Sequence, residues 1–240
     1  MGFNLKEFFT GKRLLFMAVF AFIGWFALQI NLFRYEGVTG KFFTWFELIG
    51  PQAGAFLGPI PGFIATFLSR VINLFVFAKP FDTMAIISLF TLALGAFYFG
   101  SAHNRQKLTG KLAILIPALC IIAFVANPIG IQVWYFALFW TLPIIAGLFF
   151  NKHLFARALG STLTAHAVGG ALWVWFVPAG QSAAFWNALI FIMPIERLMY
   201  AIGITVSFVV LNTVLSKIET VNKSTEINVN PNYVIGKTAN

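Results

Sequence analysis

Residues 48–63 read "LIGPQAGAFLGPIPGF". Gly50, Gly54, Gly58 and Gly62 recur at every fourth position, interleaved with Pro51, Pro59 and Pro61, inside an apolar tract that runs from Phe42 to Phe77. That tract is too long for one membrane helix, because about 20 residues already cross a hydrocarbon core of about 30 Å. Proline removes a backbone donor and clashes with the preceding turn, while glycine tolerates the resulting geometry. The "GPIPG" centre is therefore the natural place to divide the tract in two. Glycines four apart drift only about 40° per step round a helix, so the four are expected to form one smooth stripe for close backbone packing.

The rest of the chain agrees with a membrane setting. Of 240 residues, 60% are hydrophobic and 10% charged, with 30 phenylalanines, and the mean hydropathy is +0.86. Soluble-enzyme classes are excluded by this composition. Besides the divided tract, apolar windows fall at about 14–33, 81–100, 112–127, 131–150, 158–177 and 188–215. The first follows basic residues and has no small-residue cleavage site, so it reads as a retained helix and not a signal peptide.

A formal charge of +9 would suggest nucleic acid in a soluble protein. Here Lys and Arg sit in short connections between apolar runs, which is an orientation signal and predicts no nucleic-acid partner. Lys6, Lys12 and Arg13 precede the first window; Arg105, Lys107 and Lys111 precede the window at 112; Lys152 and Arg157 follow the window ending at 150; Lys217 and Lys223 follow the last. Placing every basic cluster on the cytoplasmic side requires an even number of crossings between Arg13 and Arg105. Dividing the tract satisfies this, although Arg34 and Lys41 in the first outer loop run against it. The expected fold is an all-α polytopic bundle of about eight crossings, within a range of six to eight, with both termini cytoplasmic, in an inner or plasma membrane. An undivided tract would put the Arg105 cluster outside. Residues 1–215 read as one membrane domain, and 216–240, rich in Asn, Ser, Thr and Lys, as a disordered cytoplasmic tail.

Ionisable groups inside apolar helices are costly and point to function. Arg70 lies in "IATFLSRVINLFVF" with Thr66 four residues before and Asn73 three after, all on one helical face. Three roles fit Arg70: contact with an anionic ligand group in a polar cavity, pairing with a structural carboxylate, or snorkelling to an interface if the helix break lies nearer to it. Glu196 and Arg197 are adjacent, about 100° apart on a helix, so each is expected to seek a partner elsewhere or water; Glu196 with Arg70 is the favoured pairing. Pro194 just before them implies a kink. His166, in "GSTLTAHAVGGALWVW", fits a cross-helix hydrogen bond, or a substrate contact or proton relay. Trp173 and Trp175 read as interfacial anchors. Gln29, Asn31, Glu47 and Gln52 form a looser polar set near the first outer loop.

The candidate substrate-binding residues are therefore Arg70, Asn73, His166, Glu196 and Arg197. No hydrolase elbow, paired-carboxylate motif, phosphate loop or metal-ligand spacing occurs, and the single Cys120 forms no internal disulfide. No catalytic residue, metal or cofactor is expected, and the chain is not expected to be an enzyme.

"GPQAGAFLGPIPGFIATFLSRVINLF" followed by "FDTMAIISLFTLALGAFYFG", together with the final "PIERLMYAIGITVSFVVLNTVL", resembles the substrate-binding S components of energy-coupling factor vitamin transporters. The resemblance implies a vitamin or related small molecule bound from outside, and association with a coupling subunit and ATPase chains in the lipid bilayer. The chain departs from that pattern by about two extra crossings and by Ser69-Arg70, where an acidic residue is frequent. It is also similar to multi-pass sensor input domains, in which a Gly-Pro stretch precedes an Arg-containing helix. The expected function is small-molecule binding or uptake; the alternatives are a membrane sensor domain and a structural or assembly subunit without ligand.

Overall fold

The computed structural model describes residues 10–34, 42–102, 106–218, 221 and 226–236. Lys6, Lys41, Arg105 and Lys223 lie outside them. Among the described residues the chain is all-α apart from one small hairpin. The order is α1 (Gly11–Ala27), β1 (Asn31–Arg34), β2 (Phe42–Thr44), α2 (Phe46–Leu57), α3 (Pro59–Val76), α4 (Thr83–Ser101) and α5 (Leu108–Val125). A 3-10 segment (Gly130–Trp140) then runs into α6 (Thr141–Phe149), followed by α7 (Leu154–Phe176), a short α8 (Ala183–Leu189) and α9 (Ile192–Ser216). Five of these stretches are long and apolar enough to cross a membrane: α3, α4, α5, the 3-10 segment with α6, and α9. The outer position of α5 is visible in its burial, with only 22% of the span buried, against 61% for α4 at the centre.

The division of the glycine-proline tract is borne out, with the break one residue earlier than the prolines. Gly58 takes φ 90°, outside the range that suits side chains, and Pro59 opens α3 at its first position, where a missing N–H costs nothing. The two helices then run back antiparallel. Gly62 packs on the backbone of Gly54, Thr66 Oγ1 donates to Gly50 O at 3.1 Å, and Arg70 Nη2 reaches Glu47 Oε1 at 3.3 Å.

The single glycine stripe is not what forms. The four residues are shared between two helices and a turn, and they meet different partners. Gly50 faces the Leu92 side chain, Gly54 faces the backbone of Ala96, and Gly58 has open space around it. Gly100 on α4 returns to the Gly54 carbonyl, so α2, α3 and α4 approach backbone to backbone at one point. A period-four spacing reads as one stripe only if the helix is continuous, and the positive φ at Gly58 ends it.

With 12 residues, α2 rises about 18 Å, short of a full hydrocarbon core. It survives in apolar surroundings because it is enclosed by protein. Gln52, fully buried, donates to Ile204 O at 2.9 Å and Ser207 Oγ at 2.8 Å on α9. Similar cross-helix bonds tie Ser69 Oγ to Ala21 O at 2.9 Å, Ser161 Oγ to Gly95 O at 2.8 Å and Tyr98 OH to Pro143 O at 2.5 Å. In lipid, hydroxyl and amide bonds of this kind join helices that gain little from hydrophobic burial alone.

The window at 131–150 is not one continuous α-helix. Gly130 sits against the Phe124 carbonyl, and Val133 leaves helical geometry at φ −122°, ψ 32°. The 3-10 path turns Phe136 and Trp140 inward, where Phe124 meets Trp140 and Trp186 edge to face at 4.9 and 4.8 Å.

The expectation of a disordered tail fails for its described part. Ile227 is buried in the cluster of Phe56 and Phe208, and Asn228 N donates to Phe56 O at 2.7 Å. Asn212 on α9 clamps the segment, giving Nδ2 to Asn230 O at 2.8 Å and Tyr233 O at 3.1 Å while accepting from Asn230 N at 2.8 Å. Glu226 pairs with Arg13 at 2.6 Å. A polar composition hid an alternation of Ile227, Val229 and Tyr233 with asparagines, which serves an extended strap lying on helix ends.

Candidate functional site

One cavity of about 540 Å³ brings together all five sequence-selected residues. Arg70 and Asn73 enter from α3, His166 from α7, and Glu196 and Arg197 from the start of α9. The first half of α4 supplies Ser88 and Thr91, and α2 contributes Glu47. Thr66, on the same face as Arg70 in the sequence, stays in the α2–α3 seam on Gly50 O and Gly62 O.

The charges pair differently from expectation. Arg70 meets Glu47, not Glu196, and its guanidinium carbon lies 4.9 Å from the Phe46 ring centre. Glu196 is taken by its neighbour: Arg197 Nη2 and Nε reach Glu196 Oε2 at 2.5 and 3.2 Å. Adjacent Cα–Cβ vectors diverge by about 100°, but two long side chains reaching into the same cavity can still curl together. Arg197 also donates from Nη1 to Thr162 Oγ1 at 3.1 Å and lies 4.6 Å from the Tyr200 ring centre. Buried guanidinium groups held by carboxylate, hydroxyl and ring together are positioned with little remaining freedom.

Two neutral groups complete the polar wall. His166 Nδ1 accepts from Trp140 Nε1 at 3.0 Å, so the neutral ring carries its proton on Nε2 and offers a donor there. Asn73 Oδ1 accepts from Gln29 Nε2 at 3.0 Å, which leaves the Asn73 amide hydrogens as its remaining capacity. His166 is thus bonded across helices, as one of its expected roles requires, and it lines the cavity.

The apolar wall was not foreseen. Trp173, expected as an interfacial anchor, lines the cavity and is stacked on Phe185 at 5.6 Å and 16°. Trp186 stands beside it, its Nε1 donating to Gly180 O at 2.8 Å. Trp175, two residues on, is 43% exposed, as an interfacial residue would be, and bonds Ala123 O at 2.8 Å. Gly169 and Gly170 keep the wall of α7 low, and Gly170 admits the Trp140 ring edge against the helix. The rim carries Lys79, Pro80 and Asp82, just after Ala78 at φ 45°. Of the looser polar set, Glu47 enters the site, Gln29 supports it through Asn73, Gln52 is a cross-helix brace and Asn31 lies in β1.

Among the described residues, three cations (Lys79, Arg70, Arg197) and three carboxylates (Glu47, Asp82, Glu196) line this space, so their formal charges balance. A site of this size, with a polar wall and an aromatic wall, is suited to a small molecule that has a flat apolar face and several hydrogen-bonding groups. No group of three or more potential metal ligands occurs among the described residues. Comparison with protein-family models, curated proteins and solved structures gives no match to this chain.

Proposed function

We propose that this membrane protein binds a small vitamin-like molecule, neutral or zwitterionic, from the outer side of the bilayer, as an uptake component similar to the S components of energy-coupling factor transporters. The observation that carries the reading is the convergence of Arg70, Asn73, His166, Glu196 and Arg197, from three helices, on one cavity with an aromatic wall. In this reading the chain traverses the bilayer eight times, as α1, α2, α3, α4, α5, the 3-10 segment with α6, α7 and α9. Both ends and the basic connections then lie in the cytoplasm, and the cavity opens outward. The two arginine–glutamate pairs shift the expected role of Arg70. It presents a hydrogen-bonding edge already balanced by Glu47, so a free carboxylate or phosphate is a poorer ligand than a molecule carrying both signs or neither. A coupling subunit and ATPase chains would supply the energy for transport.

Thermal unfolding of the purified chain against vitamins and nucleobase-like compounds tests the proposal. A compound that fits raises the unfolding midpoint, and the rise, measured against each variant's own baseline, falls in Arg70→Ala and Asn73→Ala. The reading fails if no compound stabilises the protein, or if the stabilisation is the same in both variants.

A further inference from the structure

A second cavity, of about 590 Å³, lies at the opposite end of the bundle. The first cavity touches Ser88 on α4 and His166 on α7, whereas this one touches Ser101 and Arg157, further along α4 and at the start of α7. Arg157, Lys107 and Thr109 line it, and the strap at 228–232 roofs it.

Arg157 is 8% exposed. Its Nη2 donates to Phe99 O at 3.1 Å and its guanidinium carbon lies 5.1 Å from the Phe99 ring centre. Its Nε is buried with no hydrogen-bond partner. Among the described residues no carboxylate lines this cavity, and none pairs with Arg157. A buried guanidinium without a counter-charge is expensive, unlike Arg70 and Arg197, which each have a glutamate.

The neighbouring groups add to the same field. Lys107 is the N-cap of α5, an 18-residue helix, and among the described residues no side chain caps that end. The amides of its first turn therefore lack a side-chain acceptor and carry the positive end of the helix dipole, beside Thr109 and the Lys107 ammonium.

The geometry points to a binding site for a phosphate group, held between Arg157, Lys107 and the first turn of α5 under the strap. Guanidinium, ammonium and helix-end amides together match a phosphate better than a carboxylate, because they approach from several directions. The phosphate belongs either to a soluble phosphate compound or to an anionic lipid headgroup entering at the helix ends. This site does not depend on what the first cavity binds.

The test uses the full chain in maltoside detergent, which carries no phosphate. Unfolding midpoints are measured with inorganic phosphate or pyrophosphate against chloride at matched ionic strength, and separately with phosphatidylglycerol against diacylglycerol. A rise with either probe is expected, lost in Arg157→Gln. In Lys107→Gln the half-saturating concentration moves up about tenfold, the weight of one charge-assisted hydrogen bond. A rise with the soluble anions alone assigns a soluble phosphate compound, and one with phosphatidylglycerol alone assigns a headgroup. Should Arg157→Gln fail to fold, Lys107→Gln, at an exposed position, decides. No rise with any probe, or a rise unchanged in the variants that fold, overturns the proposal.

Discussion

Gly54→Ala is expected to destabilise the protein by about 3 kcal/mol, the upper part of the range for overpacking a close contact. The added Cβ would collide with the carbonyl oxygen of Ala96, and neither that backbone nor the Gly62 backbone on the other side can swing away as a side chain would. The loss should be read as a lowered unfolding midpoint in detergent. Gly11→Ala, where nothing lies within 4 Å, and Gly169→Ala, which meets only Thr91 Cγ2 at 3.4 Å, are the controls. Both should leave the midpoint nearly unchanged. If Gly54→Ala behaves like the controls, the backbone-to-backbone approach of α2, α3 and α4 is not what holds the bundle together.

The second large effect concerns the Glu47–Arg70 pair. Both side chains are about four-fifths buried, at 19% and 22% exposure, so removing one partner strands a charge inside the bundle. Glu47→Gln alone is expected to cost about 3 kcal/mol, at the lower end of what breaking a buried pair costs. The double variant Glu47→Gln/Arg70→Gln should recover most of that loss, because a pair replaced by two neutral amides leaves no uncompensated charge. Glu196→Gln combined with Arg70→Gln should show no such recovery, since Glu196 belongs to Arg197. Additive losses for Glu47 and Arg70, or coupling between Arg70 and Glu196, would contradict the pairing seen in the structure.

These two pairs show where sequence reasoning reached and where it stopped. The candidate residues were legible because a charged or polar group in an apolar helix is costly and so stands out against its neighbours. Their convergence was not derivable from the sequence, yet all five line one cavity. The partner choice depended on the antiparallel return of α3 along α2, which places Arg70 beside Glu47 as it places Thr66 beside Gly50. Glu47 stood in the looser polar set because nothing local in "TWFELIG" distinguishes a site carboxylate from a loop one. Trp173 was read as an anchor for a similar reason: tryptophans near a helix end serve both roles, and only the neighbouring Phe185 and Trp186 turn one of them inward.

The fold followed the same division. The break in the long apolar tract could be read from "GPIPG", since the backbone chemistry of glycine and proline is local. The shortness of α2 could not, because a 12-residue helix inside a longer apolar tract is fixed by the protein packed around it. The strap was hidden by its asparagines. Composition alone favours disorder, whereas Asn212 supplies the polar partners that hold Asn230 and Tyr233 in place.

An outward-facing polar cavity in a bundle that traverses the bilayer eight times can be tested by cysteine accessibility, which reports on both features at once. In a Cys120→Ser background, Ser88→Cys places a thiol on the cavity wall, Phe90→Cys places one on the exposed apolar face of α4, and Lys107→Cys places one in the opposite connection. With a membrane-impermeant maleimide added to intact cells, Ser88→Cys should label, Phe90→Cys should stay unreactive, and Lys107→Cys should label only after permeabilisation. Labelling of Lys107→Cys from outside, or silence of Ser88→Cys until the membrane is opened, would rule out this arrangement of the helices and the cavity.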